Sequence, residues 1–108
     1  MEAAKAISAL GALAQEHRLA LFRLLVQAGP EGMPAGAIAG TLGIPNSSLS
    51  FHLAQLTGAG LVGRERRHRS IIYRADYSAM NALVGYLMEN CCGGAGGTAE
   101  ACDERKSG

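Results

Sequence analysis

A chain of 108 residues with 48% hydrophobic content has room for one core, near the small end of what folds alone. Three Tyr, two Phe and no Trp leave too few rings for the stacking platforms that hold single-stranded nucleic acid. The net charge of +1 hides a cluster, because Arg64, Arg66, Arg67, Arg69 and Arg74 crowd one short stretch opposed there only by Glu65. No apolar run approaches the roughly eighteen residues of a membrane span, and no basic stretch followed by an apolar core opens the chain. A cytoplasmic protein with no membrane contact is the expectation.

In chain order, residues 3–14 set Ile7, Leu10, Leu13 and Ala14 at helical spacing. After a break at Glu16-His17, residues 17–28 predict a second helix with Leu19, Phe22, Leu25 and Val26 on one side. Gly29-Pro30-Glu31-Gly32 signals a turn. A short helix is predicted from Pro34, a residue suited to a first helical turn, through Ile38 and Leu42 to Gly43, which ends it in left-handed conformation. Pro45-Asn46-Ser47 opens the next helix, over about 46–59, where Leu49, Leu53 and Leu56 form one inward stripe. Its opposite face carries Ser47, Ser48, Phe51, Ala54 and Gln55. Small hydroxyls, an amide and an exposed ring make a poor solvated face but suit base edges and thymine methyls. His52 stands at the border of the stripe, where a hydrogen bond within the protein is favoured over metal ligation.

Gly58-Ala59-Gly60 ends that helix. Residues 63–68 and 70–75, the second rich in β-formers at Ile71-Ile72-Tyr73, predict an antiparallel hairpin that turns at His68-Arg69-Ser70 and carries the arginines. Neutralising phosphate is a contact-range effect, so this local field matters more than the net charge. Asp76 is placed to cap a last helix over 77–91. There Met80, Leu83, Val84, Leu87, Met88 and Cys91 repeat at helical spacing, a stripe long enough to call for a partner helix from a second copy. The fold class is mainly α with a two-stranded β-hairpin wing, a winged helix-turn-helix working as a homodimer.

The wording is more specific than the pattern. Ala14-Gln15-Glu16-His17-Arg18-Leu19 leading to Leu24-Leu25 resembles the entry segment of the ArsR/SmtB family of bacterial metal-sensing repressors. Ser48-Leu49-Ser50-Phe51-His52-Leu53, then Leu56 and Gly58-Ala59-Gly60-Leu61-Val62, is similar to that family's recognition helix and its exit. Tyr73-Arg74 matches the close of its wing, whereas His68 stands where the wing turn usually has Gly. The resemblance implies a homodimer joined through the first and last helices, here through Ile7, Leu10, Met80, Leu83, Val84, Leu87 and Met88. It implies binding to double-stranded operator DNA and release by an inducer. Ser47, Ser48, Ser50, Phe51, His52 and Gln55 of the reading helix, with Arg64, Arg66, Arg67 and Arg69 of the wing, are the candidate DNA contacts. Residues 1–90 form this DNA-binding and dimerisation domain, and 91–108 a flexible cysteine-containing tail.

Two sites recurrent in the family are missing from the sequence. No Cys lies in 33–60, and no His lies in 77–108 to join Asp76 in a zinc site on the last helix. The three cysteines are Cys91, Cys92 and Cys102, which look like those of arsenite- and antimonite-responsive members. Their chemistry agrees. Thiolates select soft ions. Three sulfurs leave zinc a donor short but complete the shell of a three-coordinate pyramidal As(III) or Sb(III). Adjacent Cα atoms stand about 3.8 Å apart, under the usual disulfide range, so a Cys91–Cys92 bridge is strained. In a helix the two side chains diverge by about 100°, so capture requires the last helical turn to loosen. The Gly-rich stretch to Cys102 reaches roughly 15–20 Å as a flexible coil, ample for return to the pair. A repressor sensing redox state through a sulfenic acid at Cys91 or Cys92, or sensing zinc, cadmium or copper(I), is an alternative of the same fold. A metal-buffering thiol protein is an alternative of another class. No Ser/His/Asp or paired-carboxylate grouping suggests an enzyme.

Overall fold

The computed structural model describes residues 1–90; Cys91, Cys92 and Cys102 lie outside the described residues. The elements run α1 (Ala3–Leu13), α2 (Glu16–Ala28), β1 (Met33–Pro34), α3 (Ala35–Leu42), α4 (Asn46–Gly58), β2 (Val62–Arg67), β3 (Ser70–Ala75) and α5 (Tyr77–Leu87). The core is built around α4, whose Leu49, Leu53 and Leu56 are buried as their spacing predicts. α2 meets them with Leu21, Phe22 and Leu25, α3 with Ile38, and the entry to the wing with Leu61 and Val62. Leu19, expected on the inner side of α2, is exposed instead, because the stripe that fits the core is centred on Leu21 and Leu25, one turn apart. None of the helices among the described residues is long and apolar enough to cross a membrane.

α1 packs through small residues. Ala6, Ala9 and Ala12 are buried while Ile7 is 70% exposed and Leu10 also faces out. α2 starts at Glu16, where the Gln15 side chain accepts the Arg18 amide at 2.9 Å. α5 starts where the Asp76 carboxylate accepts the Ala79 amide at 3.0 Å, the cap expected of it. It ends at Leu87 rather than at 91, and Asn90, with φ of 61°, takes the left-handed conformation that Asn tolerates after a helix. Met88 therefore lies just beyond α5.

The sheet has three strands, in the order β1-β3-β2, rather than the two of a hairpin. Met33 and Pro34 pair with Tyr73 and Ile72, a strand too short to leave a period in the sequence. Pro34 is thus the last strand residue and the cap of α3 rather than a first-turn residue; with no amide proton it is tolerated at the sheet edge. In the hairpin Arg67 pairs with Ser70, so the turn is only His68-Arg69, and His68 has φ of 55° where a Gly would be unstrained.

The Gly29–Gly32 turn delivers β1 to the sheet at close range. Gly32 has φ of 70°, and a Cβ there would collide with the Tyr73 carbonyl oxygen. Gly32→Ala is expected to lower stability by about 2–3 kcal/mol, from left-handed strain plus overpacking, read as a fall in the thermal unfolding midpoint. His68→Gly should act oppositely, relieving about 1 kcal/mol of strain, offset in part by the freedom glycine gains in the unfolded chain.

Candidate nucleic-acid interface

Burial of Leu49, Leu53 and Leu56 turns the other side of α4 outward. Ser47, Ser48, Ser50 and Gln55 are exposed, as is Phe51 at 58%. Water solvates a ring poorly, so Phe51 offers apolar contact to whatever approaches this face. The helix opens at Pro45 with no side-chain cap, which leaves its first amides available to an acceptor such as phosphate.

His52 does not belong to that face. Named above with the DNA contacts, it is only 8% exposed, with Nδ1 3.4 Å from an Arg18 guanidinium nitrogen. The hydrogen bond within the protein is the role it takes. Burial first, then the neighbouring Arg18 and His17, push its pKa below the ordinary 6.5.

The pleat sorts the wing arginines into two sets. Register pairs Val62 with Ala75, Arg64 with Tyr73 and Arg66 with Ile71, which places Arg64 and Arg66 on the strand face that begins at buried Val62. Glu65 and Arg67 take the other face with Arg74. There the Glu65 carboxylate accepts a hydrogen bond from Arg74 and stands 3.7 Å from Arg67. Among the described residues Arg64, Arg66 and Arg69 carry no ion pair. Of the four wing candidates, Arg67 alone has part of its charge engaged.

Helix and wing meet across a groove, with Ser50, Ala54 and Thr57 of α4 on one wall and Arg64 and Tyr73 on the other. Thr57 and Tyr73 are not among the candidate contacts that the sequence offers. Thr57 follows Ser50 by two helical turns, a signal that was available; Tyr73 needed the strand register.

The remaining candidates divide between surface and core. Ile7 and Leu10 on α1, and Val84 and Leu87 on α5, are exposed apolar side chains. Leu83, expected to face a partner, is buried in its own protomer, and Met80 packs partly against the same core. The stripe is wider than one interface needs, and its inner edge closes the domain. Among the described residues no group of three His, Cys, Asp or Glu side chains could hold a metal ion.

Helix, turn, reading helix and basic hairpin in this order define a winged helix-turn-helix. The family model described as "Helix-turn-helix domain" matches residues 13–64. The HTH-type transcriptional regulator YgaV of Escherichia coli is 30% identical over 79 residues, 73% of this chain and 80% of the relative. An ArsR-like transcriptional regulator from Rhodococcus superposes with a TM-score of 0.71 at 25% identity, covering 96% of this chain and 88% of that one. A homodimeric winged helix-turn-helix DNA-binding domain from Mycobacterium bovis, possibly an ArsR-family regulator, gives 0.64 at 27% identity over 80% of both chains. A possible transcriptional regulator for arsenical resistance gives 0.65 at 28%, covering 74% of this chain and 80% of that one. The chain is a DNA-binding transcriptional regulator and not an enzyme. It belongs to the ArsR-like family of winged helix-turn-helix regulators.

The charge partition has a measurable consequence. Arg66→Ala should weaken binding to any duplex and reduce the slope of log affinity against log salt by about one. Glu65→Gln, which releases Arg67 and Arg74, should steepen the same slope; fluorescence anisotropy across a salt series reads both.

Proposed function

We propose that this chain is a homodimeric repressor that leaves its operator when the thiolates of Cys91, Cys92 and Cys102 capture As(III) or Sb(III). The observation that carries the reading is the donor set. Three sulfurs and no accompanying His lie in the chain after the helix whose exposed face carries Val84 and Leu87. Soft trivalent ions with three-coordinate pyramidal geometry fit three thiolates, and harder ions do not. The resemblance in fold to a possible arsenical-resistance regulator supports the same choice.

Ile7 and Leu10 on α1 and Val84 and Leu87 on α5 supply the dimer face, as neighbouring helices of one protomer. The two-fold pair presents two α4 helices to successive major grooves of a palindromic site, with half-sites about 34–36 Å apart. Ser47, Ser48, Ser50, Phe51 and Gln55 meet base edges or nearby phosphates, and Arg64, Arg66 and Arg69 hold the backbone. α5 ends at Leu87 and the chain turns at Asn90, so the thiols adjoin the dimer face in sequence. Capture there changes the spacing of the two reading helices. A coupling of about 1–3 kcal/mol suffices to loosen DNA severalfold to a hundredfold.

Arsenite added to the reduced protein on the DNA upstream of its own gene should release it in a gel shift. Cys91→Ser, Cys92→Ser, Cys102→Ser in combination should bind the same DNA and ignore arsenite. X-ray absorption without As–S scattering in the reduced protein sinks the inducer assignment, and release by peroxide alone reassigns the thiols to redox sensing. Leu87→Glu should shift sedimentation from dimer towards monomer and lower operator affinity with it, because one half-site holds a monomer weakly.

A further inference from the structure

Arg18 joins three elements at one point. Its Nε donates to the Ala12 carbonyl oxygen in the last turn of α1 at 2.7 Å, and an Nη approaches His52 Nδ1 on α4 at 3.4 Å. Its backbone amide, held by Gln15, fixes the start of α2. A guanidinium carries donors only, so Nδ1 must accept, and the imidazole is neutral with its proton on Nε2. The His17 ring lies 5.6 Å from that of His52, and Phe51 meets it edge-on at 5.7 Å. His52 is the sole buried polar side chain among the described residues, and it sits on the reading helix between the three serines and Phe51 on one side and Gln55 on the other.

We propose that Arg18 and His52 are positioning residues that hold α4 at its DNA-reading angle against α1, and that proton uptake by His52 breaks this link and weakens DNA binding. The proposal rests on the DNA-reading function and adds a regulation of that surface. α1 also bears the exposed Ile7 and Leu10, so the link stands where dimer geometry reaches the reading head.

The surroundings favour the neutral ring from every side. α3 carries no ionisable side chain, and His52 is the only one on α4. α1 contributes Lys5, α2 contributes Glu16, His17, Arg18 and Arg23, and β2 contributes Arg64, Glu65, Arg66 and Arg67. Of these, Arg18 and His17 act on the ring, both against the imidazolium, and among the described residues no carboxylate compensates them. A protonated Nδ1 would turn a donor towards a donor. Because the folded pKa is depressed, the link is fully present above the ordinary value of 6.5 and is lost as pH falls below it, when unlinked forms bind the proton first.

The test uses the full chain and a duplex of about 30 base pairs enriched from random DNA by the wild-type protein, long enough for two half-sites. Anisotropy titrations run from pH about 8 to about 5.5, spanning the imidazole range. Wild type should lose affinity on the acid side, by at most about tenfold per pH unit for the one coupled proton. His52→Asn, whose amide oxygen stands at the position of Nδ1 and accepts from Arg18, should bind within about threefold of wild type at pH 8 and lose the acid limb. Arg18→Lys, which cannot bridge both acceptors, should bind several times more weakly at pH 8. His68→Gln removes an exposed wing imidazole far from the Arg18 link and should leave the acid limb in place. In the wild-type protein, ¹⁵N shifts of His52 should report the Nε2–H tautomer and proton uptake below the ordinary value. An unchanged acid limb in His52→Asn, or an Nδ1–H tautomer, overturns the proposal while leaving DNA binding intact. No duplex bound at pH 8 by wild type overturns the DNA-reading function, and the proposal with it.

Discussion

The packing of one stripe of α4 governs what the rest of this molecule can do. Leu49, Leu53 and Leu56 are removed from water against α2, α3 and the base of the wing. At about 1.5–3 kcal/mol each, these three side chains represent a large part of the stability expected for so small a domain. A helix anchored along one side cannot rotate about its axis, so Ser47, Ser48, Ser50, Phe51 and Gln55 are held outward together. The exposed phenyl ring of Phe51 costs solvation in the free protein, a cost that contact with another apolar surface would recover.

The wing depends on the same core. Leu61, Val62 and Ala75 seat its base, and the strand pleat then dictates which arginines share a face. Glu65 lies among Arg67 and Arg74 and engages them, whereas Arg64 faces α4 across the groove. A cluster that looks uniformly basic along the chain is therefore two surfaces, one partly neutralised and one available to phosphate. α1 contributes differently. Its alanines allow close approach to the body of the domain, and that closeness brings the Ala12 carbonyl within reach of Arg18 and, through Arg18, of the reading helix.

Much of this was legible from residue order. Leucines at intervals of three and four placed the buried side of α4, Asp76 marked the start of α5, and Ile71-Ile72-Tyr73 marked a strand, because each is a local preference that burial reinforces. β1 escaped notice because two residues carry no period and its pairing partner lies some forty positions away. Leu19 and Leu83 were misjudged for a shared reason. An apolar residue near the edge of a stripe is assigned to core or surface by how neighbouring elements close over it, and the spacing alone does not contain that information.

The chain by itself determined the order of helices, the outward face of the reading helix, the basic hairpin and the three terminal sulfurs, since these follow from periodicity, turn chemistry and residue type. Tertiary structure alone decided that Arg18 is the partner of His52, that Glu65 occupies Arg67 and Arg74, and that Leu83 joins the core. Those outcomes depend on distances between residues far apart along the chain, which only packing sets.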